Sequence, residues 1–435
     1  MRISKKFCGD AFILAALFLA SGAFQSLVVD NSNPLAGAEG SPIMKALWAV
    51  VYSVVALRVI SQYHRIMRVV RENKLLLSLV LFAILSTVWS EDPALSLRRG
   101  VAVLATTALG IDFAVRYPIR EQLRLLGAVL GLTVLLSIVA QVLLPGAIPT
   151  VDTAADADAW YGVFNQKNQF ARIVVLATLV ALTRTRQSRR QNVIVGLLVA
   201  GAIALVIAAK SMGGLVILVA LVLLVEVFPA LRWKPKTRTA LALAGALVAI
   251  PALYLAAQNI DSLTGMLGRD STLTGRVKIW PLALSSIAKS PFLGYGYEAF
   301  WYIAPDAVRI NEMVGWDTPH SHNGYIDLTL SLGLLGLSLY LAGCLVAMRR
   351  AVGFLRADGA RESMWPLAYM SFTLLNQLSE SSIFASNTIL WVLYVAAACS
   401  VTRVATADVN SAMPFALGSD AIAPDPDFIA IKDYV

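Results

Sequence analysis

The chain has 435 residues, of which 58% are hydrophobic and 14% are charged, and its mean hydropathy is +0.70. Soluble domains are usually about 45–50% apolar and about 25% charged, so this composition excludes an ordinary soluble protein and requires a lipid bilayer as solvent. The three cysteines, Cys8, Cys344 and Cys399, offer neither a disulfide framework nor a CxxC metal pattern.

The apolar runs predict an all-α polytopic membrane protein with about 12 transmembrane helices, since a spanning helix needs about 20 mostly apolar residues. The predicted cores are 11–29, 43–60, 75–89, 100–115, 123–144, 168–183, 193–209, 212–229, 239–257, 323–348, 364–383 and 386–402. For the first run, which follows the basic start MRISKK, a signal peptide is the alternative.

The positions of lysine and arginine predict the orientation of these helices. Cytoplasmic loops of membrane proteins carry the excess of positive charge. With a cytoplasmic N-terminus, most of the 36 basic residues fall inside, in the N-terminal segment, the tail and the loops 61–74, 116–122, 184–192, 230–238 and 349–363. The net charge of +9 is then explained by topology, and a nucleic-acid partner is not needed.

Two segments on the predicted outer side are long, 145–167 and 258–322. Long loops in compact architectures are usually functional or disordered, and the aromatic residues of the second loop argue against disorder. Its residues Val277, Trp280, Leu284 and Ile287 recur at helical spacing, which predicts an amphipathic helix on the membrane surface.

The C-terminal segment has a different composition. It is rich in Ala, Asp and Pro and lacks periodicity. We therefore predict one transmembrane domain over residues 1–403 and a disordered cytoplasmic tail over 404–435.

Several cations lie at the predicted outer face. Lys210, in AAKSMGGL, is either a hairpin residue that snorkels to the interface or a functional cation. Lys167, in FNQKNQF, has the same two interpretations. Arg276, in STLTGRVKIW, and Arg269 are either solvated loop residues or ligands for phosphate, which suits the planar guanidinium fork.

The segment TPHSHNGYIDL holds two of the three histidines, His320 and His322. Ser321 or Asn323 is a good N-cap for the helix that follows. The positive end of that helix favours anions and a neutral imidazole, which is a competent general base. The alternatives are a metal site at the HxH spacing, and a purely structural role in capping and hydrogen bonding.

These motifs resemble the O-antigen ligase and polymerase superfamily of bacterial cell envelopes. The elements that carry the resemblance are GVFNQKNQF, KSMGG, TGRVKIWPLA and HSHNGYIDLTLSLGLLGL, which lie within 160–345. The element GxFxxKN looks most like the ExoQ-type exopolysaccharide branch. ExoQ-type members usually have His-Lys-Asn where this chain has Gln166, Lys167 and Asn168.

The resemblance implies a GT-C-type membrane fold and glycan transfer from undecaprenyl diphosphate to an acceptor hydroxyl, without a metal or other cofactor. By position it makes His322 the catalytic base and Arg276 the arginine that neutralises the diphosphate. Lys210 lies near a position that carries arginine in many members. Substrate-binding roles are also expected for Arg269, Lys167, Glu380 (in NQLSESSIF) and His320, and the aromatic residues Tyr295, Tyr297, Trp301 and Trp316 are either sugar-stacking platforms or interfacial anchors.

The expected function is therefore polymerisation of exopolysaccharide or O-antigen repeat units at the outer face of the bacterial inner membrane. Ligation of glycan to lipid A core is the alternative within the family. A flippase or other transporter would place ionisable groups near the bilayer midplane, and a non-catalytic assembly scaffold is a further alternative. A flippase and a chain-length regulator of the same pathway are expected partners.

Overall fold

The protein is described by a computed structural model, which covers residues 5–28, 41–144, 146–148, 158–232, 276–315 and 318–402. For Lys5, Arg276 and Val277 only the backbone is described. The predicted span 239–257, the tail 404–435, Arg269 and Trp316 lie outside the described residues.

Helices make up the regular structure of the described chain. The α-helices are α1 Lys5–Ala20, α2 Pro42–Ser61, α3 Tyr63–Glu72, α4 Lys74–Leu85, α5 Pro93–Arg116, α6 Ile119–Leu143, α7 Lys167–Thr183, α8 Arg189–Ala208, α9 Met212–Val227, α10 Arg276–Lys289, α11 Phe300–Ile303, α12 Pro305–Val314, α13 Gly324–Ala357, α14 Trp365–Asn376 and α15 Ile389–Ser400. Short 3₁₀ helices follow α1, α4 and α9, and another precedes α14.

Every predicted span within the described residues contains a helix, although α1 ends at Ala20 within the span 11–29 and α14 ends at Asn376 within the span 364–383. Six are long and apolar enough to cross a membrane: α2, α5, α6, α8, α13 and the segment Met212–Arg232 that contains α9. Large apolar side chains point outward along them, such as Ile60 (70% exposed) and Leu197 (67%). Such surfaces require lipid, so this is an integral membrane protein. The total of 12 spans and the GT-C-type architecture remain predictions.

The centre of the bundle is α15, which is apolar and buried on every side. A helix of this kind belongs in the interior of a large bundle. It packs closely on α5 at Gly110, where an added Cβ would lie 2.7 Å from Cβ of Val395. Small residues permit such close approach of transmembrane helices.

Helix α13 is broken at Gly333, whose φ of 65° and ψ of −172° are not helical. Four backbone hydrogen bonds join the break to the segment 290–296: Tyr295 N to Leu330 O (2.8 Å), Gly296 N to Ser331 O (3.1 Å), Leu334 N to Pro291 O (2.8 Å) and Leu335 N to Phe292 O (3.3 Å). An added Cβ at Gly333 would lie 2.1 Å from the Phe292 carbonyl, so only glycine fits. The interrupted backbone is paired with protein, as non-helical backbone at membrane depth must be.

The predicted amphipathic helix of the long loop exists as α10, and Trp280 and Ile287 of the predicted face pack against a small core. It packs against α12 and α13. Its fully buried side chains include Ile279 and Ala283, whereas Leu284 is 54% exposed. The apolar face meets other protein elements because α12 and the first turns of α13 form a small second core with it.

The predicted outer segments gather at one end of the bundle. Residues of α1, α2, α5 and α7 and of the segments 319–320 and 380–390 surround a common cavity there. Arg190 lies at the opposite end, since α7 begins at the cavity and the chain reaches Arg190 only after α7 ends at Thr183.

Cysteine labelling tests which end faces outward. We expect a membrane-impermeant maleimide to label Pro305→Cys in intact cells and to label Arg190→Cys only after lysis, because both positions are exposed. Cys8 is exposed and has to be replaced by serine beforehand, whereas Cys344 and Cys399 are buried. Labelling of position 190 from outside would reverse the orientation and refute an extracytoplasmic site.

Candidate active site

The cavity at this end has a volume of about 780 Å³ and is rich in cationic side chains. Its polar lining includes Lys45 of α2, Arg98 and Arg99 of α5, Gln166, Gln169 and Arg172 of α7, His320 and Glu380. Several positive charges around one hollow favour a ligand with concentrated negative charge, such as a phosphate or diphosphate.

Arg172 lies on the same face of α7 as Asn168, one turn earlier. The Asn168 Nδ2 group donates to Glu380 Oε1 (2.8 Å), and Asn168 Oδ1 accepts from Ser211 Oγ (2.9 Å). The Glu380 carboxylate lies close enough to attract the Arg172 guanidinium. The hydrogen bond from Asn168 fixes Glu380 at the cavity wall, and its carboxylate partly offsets the positive charge of Arg172 there.

Arg99 is held by the long loop. Its Nη1 lies 3.1 Å from Oε2 of Glu298, a residue with a left-handed φ of 55°. The backbone around Glu298 is anchored to the start of α5, since Ser96 Oγ donates to Tyr297 O (2.9 Å) and Tyr297 N donates to Ser86 Oγ (2.9 Å). These bonds keep the loop, and with it Glu298, against the cationic end of α5.

The histidine segment is fixed from both sides. Asn323 caps α13, because its Oδ1 accepts from Tyr325 N (3.0 Å) and Ile326 N (3.2 Å), as predicted. Trp280 of α10 donates from Nε1 to Ser321 O (3.0 Å). The Asp327 carboxylate accepts from Ser321 N, Trp301 Nε1 and Ser381 Oγ.

The two histidine rings are in contact. Their centroids are 4.3 Å apart with the planes at 78°, and the backbone of His322 is left-handed with a φ of 56°. His320 lines the cavity, and its Nδ1 accepts from the backbone N–H of His322 (3.3 Å). A neutral ring with Nδ1 as acceptor carries its proton on Nε2, so His320 presents a hydrogen-bond donor.

The structure brings together some of the predicted site residues. His320 and Glu380 line the cavity, and the ring of His322 lies against His320. Lys167 begins α7 and is 7% exposed. Lys210 is separate: it occupies the α8–α9 turn with its side chain 42% exposed, and its Nζ lies 3.8 Å from Oδ2 of Asp158.

The other predicted residues contribute less to the described geometry. Arg276 is the first residue of α10, and its side chain lies outside the described part, as does all of Arg269. Tyr297 is only 2% exposed and donates to Phe384 O, so the sugar-stacking alternative does not apply to it. Trp301 has its indole N–H on Asp327 (2.8 Å), which gives it a positioning role.

Sequence reasoning missed Lys45, Arg98, Arg99 and Arg172. A signal was present for Arg172, because it lies inside a predicted span, where an ionisable residue is a functional candidate by default. Arg98 and Arg99 stand directly before a predicted span, where arginines are common interfacial residues, and carry no such signal.

Among the described residues, His, Cys, Asp and Glu form no group of three arranged to hold a metal ion. The donor set of the site is a histidine pair with several cations around it. Positive side chains can stabilise developing negative charge directly.

Comparison with known proteins finds one family and several relatives that resemble this chain. The O-antigen ligase family matches residues 196–341. The exopolysaccharide production protein ExoQ of Rhizobium meliloti (strain 1021) is 28% identical over 276 residues, which are 60% of this chain and 60% of that protein. A candidate polysaccharide ligase of Rickettsia felis is 27% identical over 128 residues (27% and 30% of the two chains), and one of Rickettsia typhi is 37% identical over 78 residues (16% and 18%). The family model covers about a third of the chain, and together with these relatives it supports the resemblance to the O-antigen ligase and polymerase superfamily and to its ExoQ-like branch.

Proposed function

We propose that this protein is a membrane glycosyltransferase that polymerises glycan repeat units carried on undecaprenyl diphosphate, at the outer face of the cytoplasmic membrane. The observation that carries the proposal is the cavity that combines Arg98, Arg99 and Arg172 with the wall residue His320. The family match and the exopolysaccharide name of one relative support the choice of substrate class.

The donor's diphosphate binds among the cations. Guanidinium groups bind phosphate oxygens through paired hydrogen bonds, and Arg172 and Arg99 each lie near a carboxylate. Arg276, at the start of α10, adds a further guanidinium in this proposal. These charges stabilise the lipid diphosphate as it leaves with the electron pair of the broken bond.

The transfer step needs one proton acceptor. The bond between the sugar C1 and the diphosphate oxygen breaks, and the acceptor hydroxyl oxygen forms a new bond to C1. The hydroxyl proton passes to His322. His320, whose Nε2 is the donor in its neutral form, hydrogen-bonds a diphosphate oxygen from the cavity wall.

The remaining predicted residues have supporting roles in this proposal. Glu380 partly offsets the charge of Arg172, and Lys167 and Asn168 at the start of α7 hold the cavity wall. Lys210 and Arg269 contribute positive charge to the binding of the anionic donor. A protein that carries the lipid-linked glycan across the membrane and one that limits polymer length are the partners that such a reaction requires.

A deletion strain tests the function and separates its two forms. For a polymerase, we expect the polymer to disappear while lipid-linked single repeat units remain, because the acceptor is another repeat unit. Polymer that persists on the carrier lipid but is absent from lipid A core would identify a ligase. An unchanged polysaccharide, with normal transfer to every acceptor, would refute the proposed function.

A further inference from the structure

A second groove lies at the opposite end of the bundle from the cavity. It has a volume of about 330 Å³ and lies between the α3–α4 junction, α13 and α15. Helix α13 begins beside the histidines and reaches the groove at Arg350. From the break at Gly333 to Arg350, the helix rises about 26 Å at 1.5 Å per residue, which is most of the thickness of the hydrocarbon core.

The rim of this groove is positively charged. Arg71 and Lys74 are exposed on either side of the α3–α4 junction, and both line the groove. Arg350 lies deeper, where it donates from Nη1 to Asn73 Oδ1 (3.2 Å) and from Nη2 to Glu72 O (2.8 Å). The groove lining therefore holds three cations against the single carboxylate of Glu72.

Helix α3 has the form of an interfacial helix. It buries Ile66 (2% exposed) and Val69 (3%) against the bundle and exposes Arg68 and Arg71. A short helix with an apolar face and a basic face lies at the membrane surface, at the level of the lipid headgroups. The rim of the groove is thus at the depth where phosphate groups are found.

The walls below the rim are apolar. Leu75 of α4 and Val346 of α13 line them. Gly343 forms the floor of the groove, where an added Cβ would lie 3.6 Å from Tyr394 Oη and 3.7 Å from Leu75 Cβ. The walls continue into the exposed apolar surface of α13, where Leu345 is 58% exposed. An acyl chain can pack along this apolar surface, whereas a water-soluble anion has no apolar group to place there.

We propose that the groove binds one anionic glycerophospholipid. The lipid phosphate lies between Arg71, Lys74 and Arg350, and an acyl chain lies along Leu75, Gly343 and Val346. A headgroup with net negative charge is favoured over a zwitterionic one because the rim carries excess positive charge and, among the described residues that line it, Glu72 supplies the only carboxylate that could accept an amine. The proposal is independent of the transfer reaction assigned to the other end of the bundle.

Native mass spectrometry of the purified protein with equal amounts of phosphatidylglycerol and phosphatidylcholine tests this assignment. We expect the wild type to retain phosphatidylglycerol preferentially. Each cation near an anionic headgroup is worth a factor of about five, so Arg71→Gln with Lys74→Gln should weaken retention roughly twentyfold. The matched control is Arg189→Gln with Arg190→Gln, which removes the same charge from exposed positions at the same end of the bundle. Equal retention in the rim variant, or equal loss in the control, would overturn the site.

Two further experiments distinguish a bound lipid from a bound free phosphate. Gly343→Leu fills the apolar floor without changing charge, and we expect it to reduce phosphatidylglycerol retention while its Tm in detergent stays near that of the wild type. Inorganic phosphate at millimolar concentration should leave the bound lipid in place. Displacement by phosphate, together with undiminished binding in Gly343→Leu, would show a headgroup-only anion site and refute the lipid assignment.

Discussion

Replacement of His322 by alanine is expected to lower glycan transfer by about 10²–10⁴-fold, the usual contribution of a general base. The protein should still insert and accumulate normally, because Asn323, and not His322, caps α13. The measurement is transfer from a lipid-linked donor by purified, reconstituted protein. His320→Ala should be milder, since His320 supplies a hydrogen bond and does not take the proton.

Chelation completes this test. If cations alone stabilise the leaving diphosphate, a chelator leaves the activity of the reconstituted protein unchanged. Loss of activity on chelation that a divalent ion restores, with equal failure of both histidine variants, would make the HxH pair a metal site. A larger loss in His320→Ala than in His322→Ala would transfer the base assignment to His320, which is the histidine that lines the cavity.

Arg172→Lys should reduce transfer by about 10²–10³-fold, although the positive charge is retained, because lysine lacks the planar fork that binds two phosphate oxygens. The Glu380 carboxylate attracts either cation, so a loss in the lysine variant would report the missing fork and not the missing charge. Arg172→Ala should be only slightly worse than Arg172→Lys. The measurement is again transfer by reconstituted protein, with KM for the lipid-linked donor determined separately from kcat.

The matched control for Arg172→Lys is Arg309→Lys. Arg309 is exposed on α12, near the same end of the bundle, and it does not line the cavity. Normal activity in both lysine variants would reduce Arg172 to a general electrostatic contributor. If Arg309→Lys also lowers transfer, the effect of Arg172→Lys would reflect a general response to changes at this surface and not a specific role of Arg172.

The apolar helices and the cap before α13 are properties of short stretches of the chain, and the sequence was sufficient to predict them. Apolar runs of about 20 residues define spans because every backbone polar group must be paired within the helix in lipid. The cap at Asn323 is equally local, since its side chain bonds groups two and three residues away. The resemblance to the O-antigen ligase superfamily was visible for the same reason, because its motifs are short segments.

The surroundings of these elements depend on contacts between distant segments, and only the tertiary structure decided them. Arg99 and Arg172 line one cavity because α5 and α7 meet there, a pairing that no local pattern encodes. The break at Gly333 is stable because the segment 290–296 supplies its hydrogen bonds. Helical periodicity indicated that the long loop forms a helix, but only the structure shows that α10 buries Ile279 in a small core with α12 and α13. Burial of an apolar helix face is favourable against protein and against lipid alike. Which of the two the face contacts therefore depends on the elements that the fold packs beside it.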